Sequence, residues 1–388
     1  MITVQGSEKD TRHTDRQPGH VRVMVGFSAF EDLGASVAEA CSAFAGAQPK
    51  LMLFYSDKAR FAECAKLLAA KFPECPTAGC SSYNSLSAEG ASQTGLRVVA
   101  FMDGISCGAG VISHITHNPI KYTDQLAEAA KSLGSLTNTI CLLYTPGMKR
   151  CEELVLDAVA QRLRERRVPV FGGSASMADG ENGSLVALNG AVYEDSSVFV
   201  LLRNDVGKIR LYRENIFKPT RYVFTVTDAD VPSRIIYSLD NKPIADVLAN
   251  ALGVQKKNLP PQLPDHPLGR IVGDNVYITE SLGITADGGI SFYARAFNQT
   301  RIALLEPDNY RRVFSETMQK VRADTPNPSF SLVVNCVSRG KLYKRNGFFN
   351  EFVEGLAKGL GNYAGFCALG EQLGYAHFNQ TLLIAVFE

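Results

Sequence analysis

"VRVMVGFSAFEDLGASVAEACSAFAGAQPKLMLFYS", Val21 to Ser56, sets the grammar of the chain. "VRVMVGFSA" has the apolar, β-branched character of a strand, Ala35 to Phe44 carries helical spacing, and "KLMLFYS" is a second strand. A helix is expected over Lys58 to Lys71, then strands at "LRVVAFMD" and "AGVISHI" and a helix over Thr123 to Leu133. "TICLLYT" is apolar without a break, as a strand covered on both faces must be. An amphipathic helix over Cys151 to Arg166 then leads into "VPVFGG". Strands alternating with helices predict an α/β fold.

After Gly173 the texture changes. "SLVALNG", "SSVFVLLRN", "GKIRLYREN" and "RYVFTVTD" follow one another across short turns, which predicts an antiparallel layer. "DADVP", Asp228 to Pro232, is the expected domain boundary, dividing the chain into 21–230 and 231–388. The second part should hold a strand at Arg234 to Ser238, a helix at Pro243 to Leu252, and a loop through "KKNLPPQLPDHPLG", whose prolines oppose regular structure. Strands near Val272 to Thr279 and Ile290 to Phe297 follow, then a helix from Asp308 to Arg322. The last unit reads as strand "SFSLVVNCVS", helix Gly347 to Gly359, and strands "YAGFCAL" and "TLLIAVF". The whole is a two-part protein with mixed or mostly antiparallel sheets flanked by helices.

"CPTAGCSS", "VPVFGGSAS" and "YAGFCALGEQ" echo one another: each runs a short apolar strand into glycine and then into small or polar residues. Such strand ends let a ligand approach the backbone, at Gly79 and Cys80 or at Gly173 and Ser174; they also suit plain tight turns. Cys80 is the better candidate for an exposed thiol, set against a structural role.

At 388 residues, with 45% hydrophobic and 20% charged content and a formal charge of +1, the chain can bury a large core and has no strong field. Nucleic acid and anionic membrane are excluded as primary partners. The first twenty residues read as a loose polar tail, no stretch has the apolar length of a membrane span, and nine irregularly spaced cysteines suit a reducing compartment, so the expected location is cytoplasmic.

No P-loop, G-x-G-x-x-G after a strand, H-E-x-x-H or C-x-x-C occurs. "GISCG", Gly104 to Gly108, matches G-x-S-x-G at Ser106, but a nucleophile elbow needs a following helix, and a strand-like run follows instead. A glycine-rich hairpin turn is the expectation. His114 and His117 in "SHITH" fall on opposite faces of a strand and read as solvated. Cys75 before Pro76 reads as a helix end.

The closing stretch "GEQLGYAHFNQTLLIAVFE" sets a polar cluster before an apolar strand. If 375 to 381 are extended, Tyr375, His377, Asn379 and Thr381 share one face and need partners, in local backbone or in a ligand. Arg339 and Glu371 close two apolar strands of the same unit. They suit the two ends of a zwitterion such as an amino acid, with Asn379 and Ser174 adding neutral hydrogen bonds, or they simply pair with each other.

"VVNCVSRG" with Cys336 and Arg339, "GFCALGEQ" with Gly365, Gly370 and Glu371, and "HFNQTLLIAVF" with Asn379 and Thr381 resemble the C-terminal half of FIST sensory proteins. "PTAGCSSYNSLS" and "PVFGGSASMADG" resemble the two glycine-centred segments of the N-terminal half. The resemblance spans roughly Val21 to Glu388. It implies a signal-input module for small ligands, of the kind often fused to kinase, cyclic-dinucleotide or chemotaxis output domains. No output domain is read in this chain, so the expected partner is a separate signalling protein such as a histidine kinase. In architecture the chain is similar to haem-containing nitric-oxide sensing proteins, which implies haem b as cofactor. A histidine would then be the axial ligand, in the order His377, His266, then His114 and His117, with His13 and His20 of the tail last. The expectation is a sensor without catalytic activity; an amino-acid sensor using Arg339 and Glu371 is the alternative, and a small-molecule enzyme using acid, histidine and tyrosine groups the other.

Overall fold

A computed structural model describes residues 19–273 and 275–388. The expected tail, with His13, lies outside the described residues except for Gly19 and His20.

Three segments fold to one plan. The first holds β1 (Arg22–Ser28), α1 (Leu33–Ala40), β2 (Leu51–Ser56), α2 (Lys58–Lys71), β3 (Thr77–Ser81), the hairpin β4 (Ser85–Ser87) and β5 (Gly90–Ser92), and β6 (Leu96–Asp103). The second repeats it with β7 (Ile105–Ser113), α3 (Asp124–Ser132), β8 (Thr139–Pro146), α4 (Glu152–Leu163), β9 (Val170–Ala175), the hairpin β10 (Val186–Leu188) and β11 (Ala191–Tyr193), and β12 (Ser196–Asn204). The third opens with β13 (Ile209–Asn215) and then accepts a long insertion: β14 (Phe217–Asp230), β15 (Ile235–Leu239), β16 (Lys242–Pro243), α5 (Ile244–Leu252), β17 (Leu268–Val272), β18 (Asn275–Thr279), β19 (Ser281–Ile284), β20 (Ile290–Phe292) and β21 (Arg301–Pro307). It resumes with α6 (Tyr310–Asp324), β22 (Phe330–Cys336), α7 (Val337–Arg345), α8 (Phe349–Leu360), β23 (Tyr363–Ala368), the hairpin β24 (Glu371–Gly374) and β25 (Ala376–Phe378), and β26 (Thr381–Phe387).

The plan shows in the sheets, ordered β1-β6-β2-β3-β10-β11, β7-β12-β8-β9-β25 by way of β24, and β13-β26-β22-β23-β4-β5. Each is first, last, second and third strand of one segment, completed by the hairpin of another. The first segment lends β4–β5 to the third, the third lends β24–β25 to the second, and the second lends β10–β11 to the first, so the exchange closes a cycle. Second and third strands run parallel in every case, with helices making the crossover between them.

Strand alternation explains the layers. Leu51, Leu53 and Tyr55 of β2, Ile140, Leu142 and Tyr144 of β8, and Phe330, Leu332 and Val334 of β22 all point into one central core. The intervening Met52 and Phe54 face the α1–α2 side, Cys141 and Leu143 the α3–α4 side, and Val333 the α6–α8 side. The three sheets thus stand as walls of a prism, apolar inside and helix-covered outside. α2 buries Phe61, Cys64, Ala65 and Leu68, one stripe at the helical period. The inserted eight-stranded sheet carries its own core around α5.

The echo in the sequence marks the three third strands. Gly79, Gly172 and Gly365 sit where a Cβ would come 2.3 Å from the Phe54 oxygen, 2.0 Å from that of Leu143 and 1.8 Å from that of Val333. Only glycine lets the parallel partners approach so closely. Beyond these glycines the strand ends bind one another: Ser176 N donates to Ser81 O at 3.0 Å, Ser174 N to Gly370 O at 2.8 Å, and Cys367 N to Asn84 O at 2.8 Å.

Several expectations are corrected. The strands between 184 and 228 form no single layer; β10, β12, β13 and β14 enter four different sheets, because strands buried on both faces, such as β12, must lie inside a sheet and pair with distant partners. Gly104, with φ +78°, makes a turn, but between sheets, since β6 and β7 pair elsewhere and form no hairpin; Ser106 donates to Asp205 at 2.7 Å. The strand expected through Ser338 stops at Cys336, and α7 follows. Two short 3₁₀ turns interrupt the proline-rich loop. Asp228–Pro232 is the end of β14 and the turn into β15, within one antiparallel hairpin. No helix among the described residues is long and apolar enough to cross a membrane.

Gly365→Ala forces backbone apart at the β22–β23 pair and should cost at least ~3 kcal/mol in urea unfolding. An unchanged midpoint would refute the close approach.

Candidate functional site

α4 begins with Cys151 as its flanking residue and Glu152 and Glu153 in its first turn, where the helix dipole favours carboxylates. It follows β8, so both glutamates lie at the carboxyl end of the parallel β8–β9 pair, the position at which open sheets leave a crevice. Ser174 at the end of β9 donates to Glu152 Oε1 at 3.4 Å. Arg234, from the insertion, reaches Glu152 at 2.5 Å and also pairs with Glu153 and with the Tyr293 carbonyl. Burial works against the Arg234 charge, but the two glutamates outweigh it and raise its pKa.

Beside this ion cluster a cavity of about 260 Å³ opens between α4, the turn and second strand of the β24–β25 hairpin, and the inserted sheet. Glu153, Asp157, Arg270, Tyr277, Arg295 and His377 contribute its polar groups. The Arg295 amide donates to Glu153 Oε1 at 2.8 Å, while the buried Nε of Arg295 has no partner. Nδ1 of His377 is likewise buried without a partner, and Nε2 lies 3.5 Å from Asn379 Nδ2. Burial lowers the His377 pKa against the pull of Glu152 and Glu153, which favours the neutral ring. Tyr277 stacks on Phe378 at 5.3 Å, with the Arg213 guanidinium 4.4 Å from the Phe378 ring.

Of the residues expected to bind ligand or to need a partner, His377 and Tyr375 line the cavity and Ser174 stands behind Glu152; the others lie elsewhere. Arg339 and Glu371 do not meet. Arg339 sits in α7, fully buried, paired with the buried Glu214, its guanidinium 5.0 Å from the Tyr343 ring. Glu371 accepts from Thr381 N at 3.0 Å and Thr381 Oγ1 at 2.9 Å, while its Oε1 has no partner. Asn379 accepts from Glu280 N at 3.3 Å, tying the insertion to the body. Tyr375 leaves the shared face because it sits in the β24–β25 turn after Gly374 at φ +64°, where it donates to Val168 O at 2.6 Å, and a second turn at 379–380, with Gln380 at φ +58°, ends the expected extended run. Gly79 and Gly173 are packing contacts, and Cys80 is buried in the central core, not exposed; burial raises its thiol pKa well above the ordinary value.

His266, half-buried, has Nδ1 3.3 Å from Leu305 O; His114 and His117 are exposed, as is His20. Glu153, Asp157, Arg234, Arg270 and Arg295 escaped the sequence reading. The glutamate pair opening a helix was visible as a signal, but the arginines come from an insertion whose placement no local pattern reveals.

The site's fit to haem divides. A buried, neutral imidazole with a free ring nitrogen suits iron. A porphyrin needs broad apolar walls and a volume well into the ~300–1,000 Å³ range of ligand pockets, whereas this cavity is smaller and bordered by two carboxylates and two guanidiniums. The walls as they stand do not fit the macrocycle. Among the described residues no group of three or more His, Cys, Asp or Glu is placed to hold a metal ion.

Burial raises Glu371 to about 8 and Glu280 to about 7, both from 4.5, despite the hydrogen bonds from Thr381 to one and the help of Ser338 and Lys341 to the other. Between pH 4.5 and about 8 the folded chain keeps protons that the unfolded chain releases, so stability falls as pH rises through that window. Glu371→Gln should reduce the loss measured by denaturant unfolding between about pH 5 and about pH 8.5. An identical loss in the variant would show that Glu371 is not protonated in the fold.

The FIST N domain family model matches residues 50–242 and the FIST C domain model residues 245–373, meeting at the start of α5. No curated protein matched the chain. With matches in this order over most of its length, the chain belongs to the FIST family, whose domains are associated with small-ligand sensing in signal transduction.

Proposed function

We propose that the protein is a signal-input sensor, not a catalyst, whose small polar ligand occupies the cavity between α4, the β24–β25 hairpin and the inserted sheet. The observation that carries this reading is the partnerless, buried Nε of Arg295 on a cavity wall that also bears Glu153 and Asp157. An unpaired buried guanidinium nitrogen is costly, and a ligand carboxylate relieves it. The Glu153 and Asp157 carboxylates of the same lining suit an ammonium group, so an amino-acid-like zwitterion matches the walls. This moves the alternative drawn from the sequence away from Arg339 and Glu371 while keeping its chemistry. A separate signalling protein, such as a histidine kinase, receives the output in this reading.

Haem with nitric oxide is the second reading, favoured by His377 alone and requiring the cavity walls to part. The two separate cleanly. An amino-acid panel in thermal unfolding should produce stabilisation by one class of compound, worth about 2.7 kcal/mol at a hundredfold excess over Kd, and Arg295→Ala should abolish it. No shift with any compound would sink the zwitterion reading. Expression with added haem that gives a Soret band, moved by nitric oxide and lost in His377→Ala, would replace it.

A further inference from the structure

A chain of hydrogen bonds that starts in the insertion sets the tautomer of His377. Asn379 Oδ1 accepts from Glu280 N at 3.3 Å, and Asn379 Nδ2 donates to Phe378 O at 3.1 Å. A backbone N–H on one side and a backbone carbonyl on the other leave the carboxamide a single orientation, because a flipped amide sets donor against donor and acceptor against acceptor. Its Nδ2 is therefore the atom that meets His377 Nε2, at 3.5 Å. A ring nitrogen that receives an N–H must be bare. In a neutral imidazole the one proton then sits on Nδ1.

That proton has no acceptor among the described residues. His377 is buried and lines the cavity, and its Nδ1 is without a partner. The Tyr293 carbonyl is within electrostatic reach of the ring but outside hydrogen-bonding geometry, and it already accepts from Arg234 Nη1. Two residues along the same segment is Arg295, which lines the same cavity and whose Nε is a second buried donor without a partner. Gln372, opposite His377 in the β24–β25 pair and so on the same face, holds the rival acceptor, since both atoms of its amide are buried and unpaired.

We propose that Asn379 fixes His377 as the Nδ1–H tautomer, and that His377 and Arg295 together form a carboxylate subsite in which each supplies one N–H to the ligand. The proposal rests on the reading of the cavity as the ligand site and adds which residues take the acidic end. Asn379 is a positioning residue that acts through the imidazole ring. A carboxylate relieves both buried donors at once and makes stronger bonds to them than a neutral carbonyl does. A simple amine relieves neither.

Nuclear magnetic resonance of the full chain carrying isotope-labelled histidine tests both parts. The His377 signals are identified by their loss in His377→Gln. Near neutral pH the parent should show a protonated Nδ1 and a bare Nε2, and Asn379→Leu, which removes the donor without adding charge, should lose that preference. A protonated Nε2 in the parent overturns the proposal whether or not the variant folds, and an unchanged tautomer in Asn379→Leu overturns the role of Asn379. Sodium acetate, a carboxylate without an ammonium group, should move the Nδ1–H signal in a saturable titration, with affinity falling at least about tenfold in Arg295→Ala. Methylammonium chloride should leave the signal in place. A signal that ignores acetate assigns the proton to Gln372 and overturns the subsite, as does unchanged acetate affinity in Arg295→Ala or an equal response to methylammonium. No amino acid enters these measurements, so their failure is separate from failure of the amino-acid panel.

Discussion

The outer edge of every third strand is open until another segment covers it. An uncovered edge of buried strand presents unpaired amides and carbonyls in an apolar setting, so β3, β9 and β23 each require a foreign hairpin. The cycle that results makes the three segments mutually dependent: no two of them complete both their sheets. The close approach at Gly79, Gly172 and Gly365 and the interlocked strand ends beyond them serve the same closure.

Much of the framework was legible in residues 21 to 204, where runs such as "TICLLYT" permit only a doubly covered strand and where α2 falls on the span its spacing predicts. The echo of glycine-ended strands was legible too, though its meaning was not, since a threefold plan is a matter of sheet order and sheet order is long-range. α7 was missed because "VVNCVSRG" stays apolar and β-branched up to its first turn. At the site, His377 could be named from its neighbours. Its cavity could not, because Arg295 arrives from an insertion and the partner of Arg339 is Glu214, more than a hundred positions away.

Charge is distributed with two purposes in this molecule. Arg339 and Glu214 are enclosed and paired through one contact, and hold α7 to β13, with Nε and Nη1 of Arg339 and Oε2 of Glu214 left without partners. The groups around His377 are enclosed yet incompletely matched, with free nitrogens on Arg295 and His377. Buried polar atoms without partners lower stability; those of Arg339 and Glu214 lie in closed packing, whereas those of Arg295 and His377 belong to residues that line a cavity a ligand can enter.

The loan of β4–β5 to β23 also has a history in time. A ribosome finishes the hairpin roughly 270 residues before it makes the strand that receives it, a delay on the order of tens of seconds at ~5–20 residues per second. During that interval the emerging chain carries an orphan hairpin, and β3 waits for β10. The sequences of the hairpin, Ser-Leu-Ser and Gly-Ala-Ser, are small and weakly apolar, a composition that lets it wait in water beside the ribosome without finding the wrong companion.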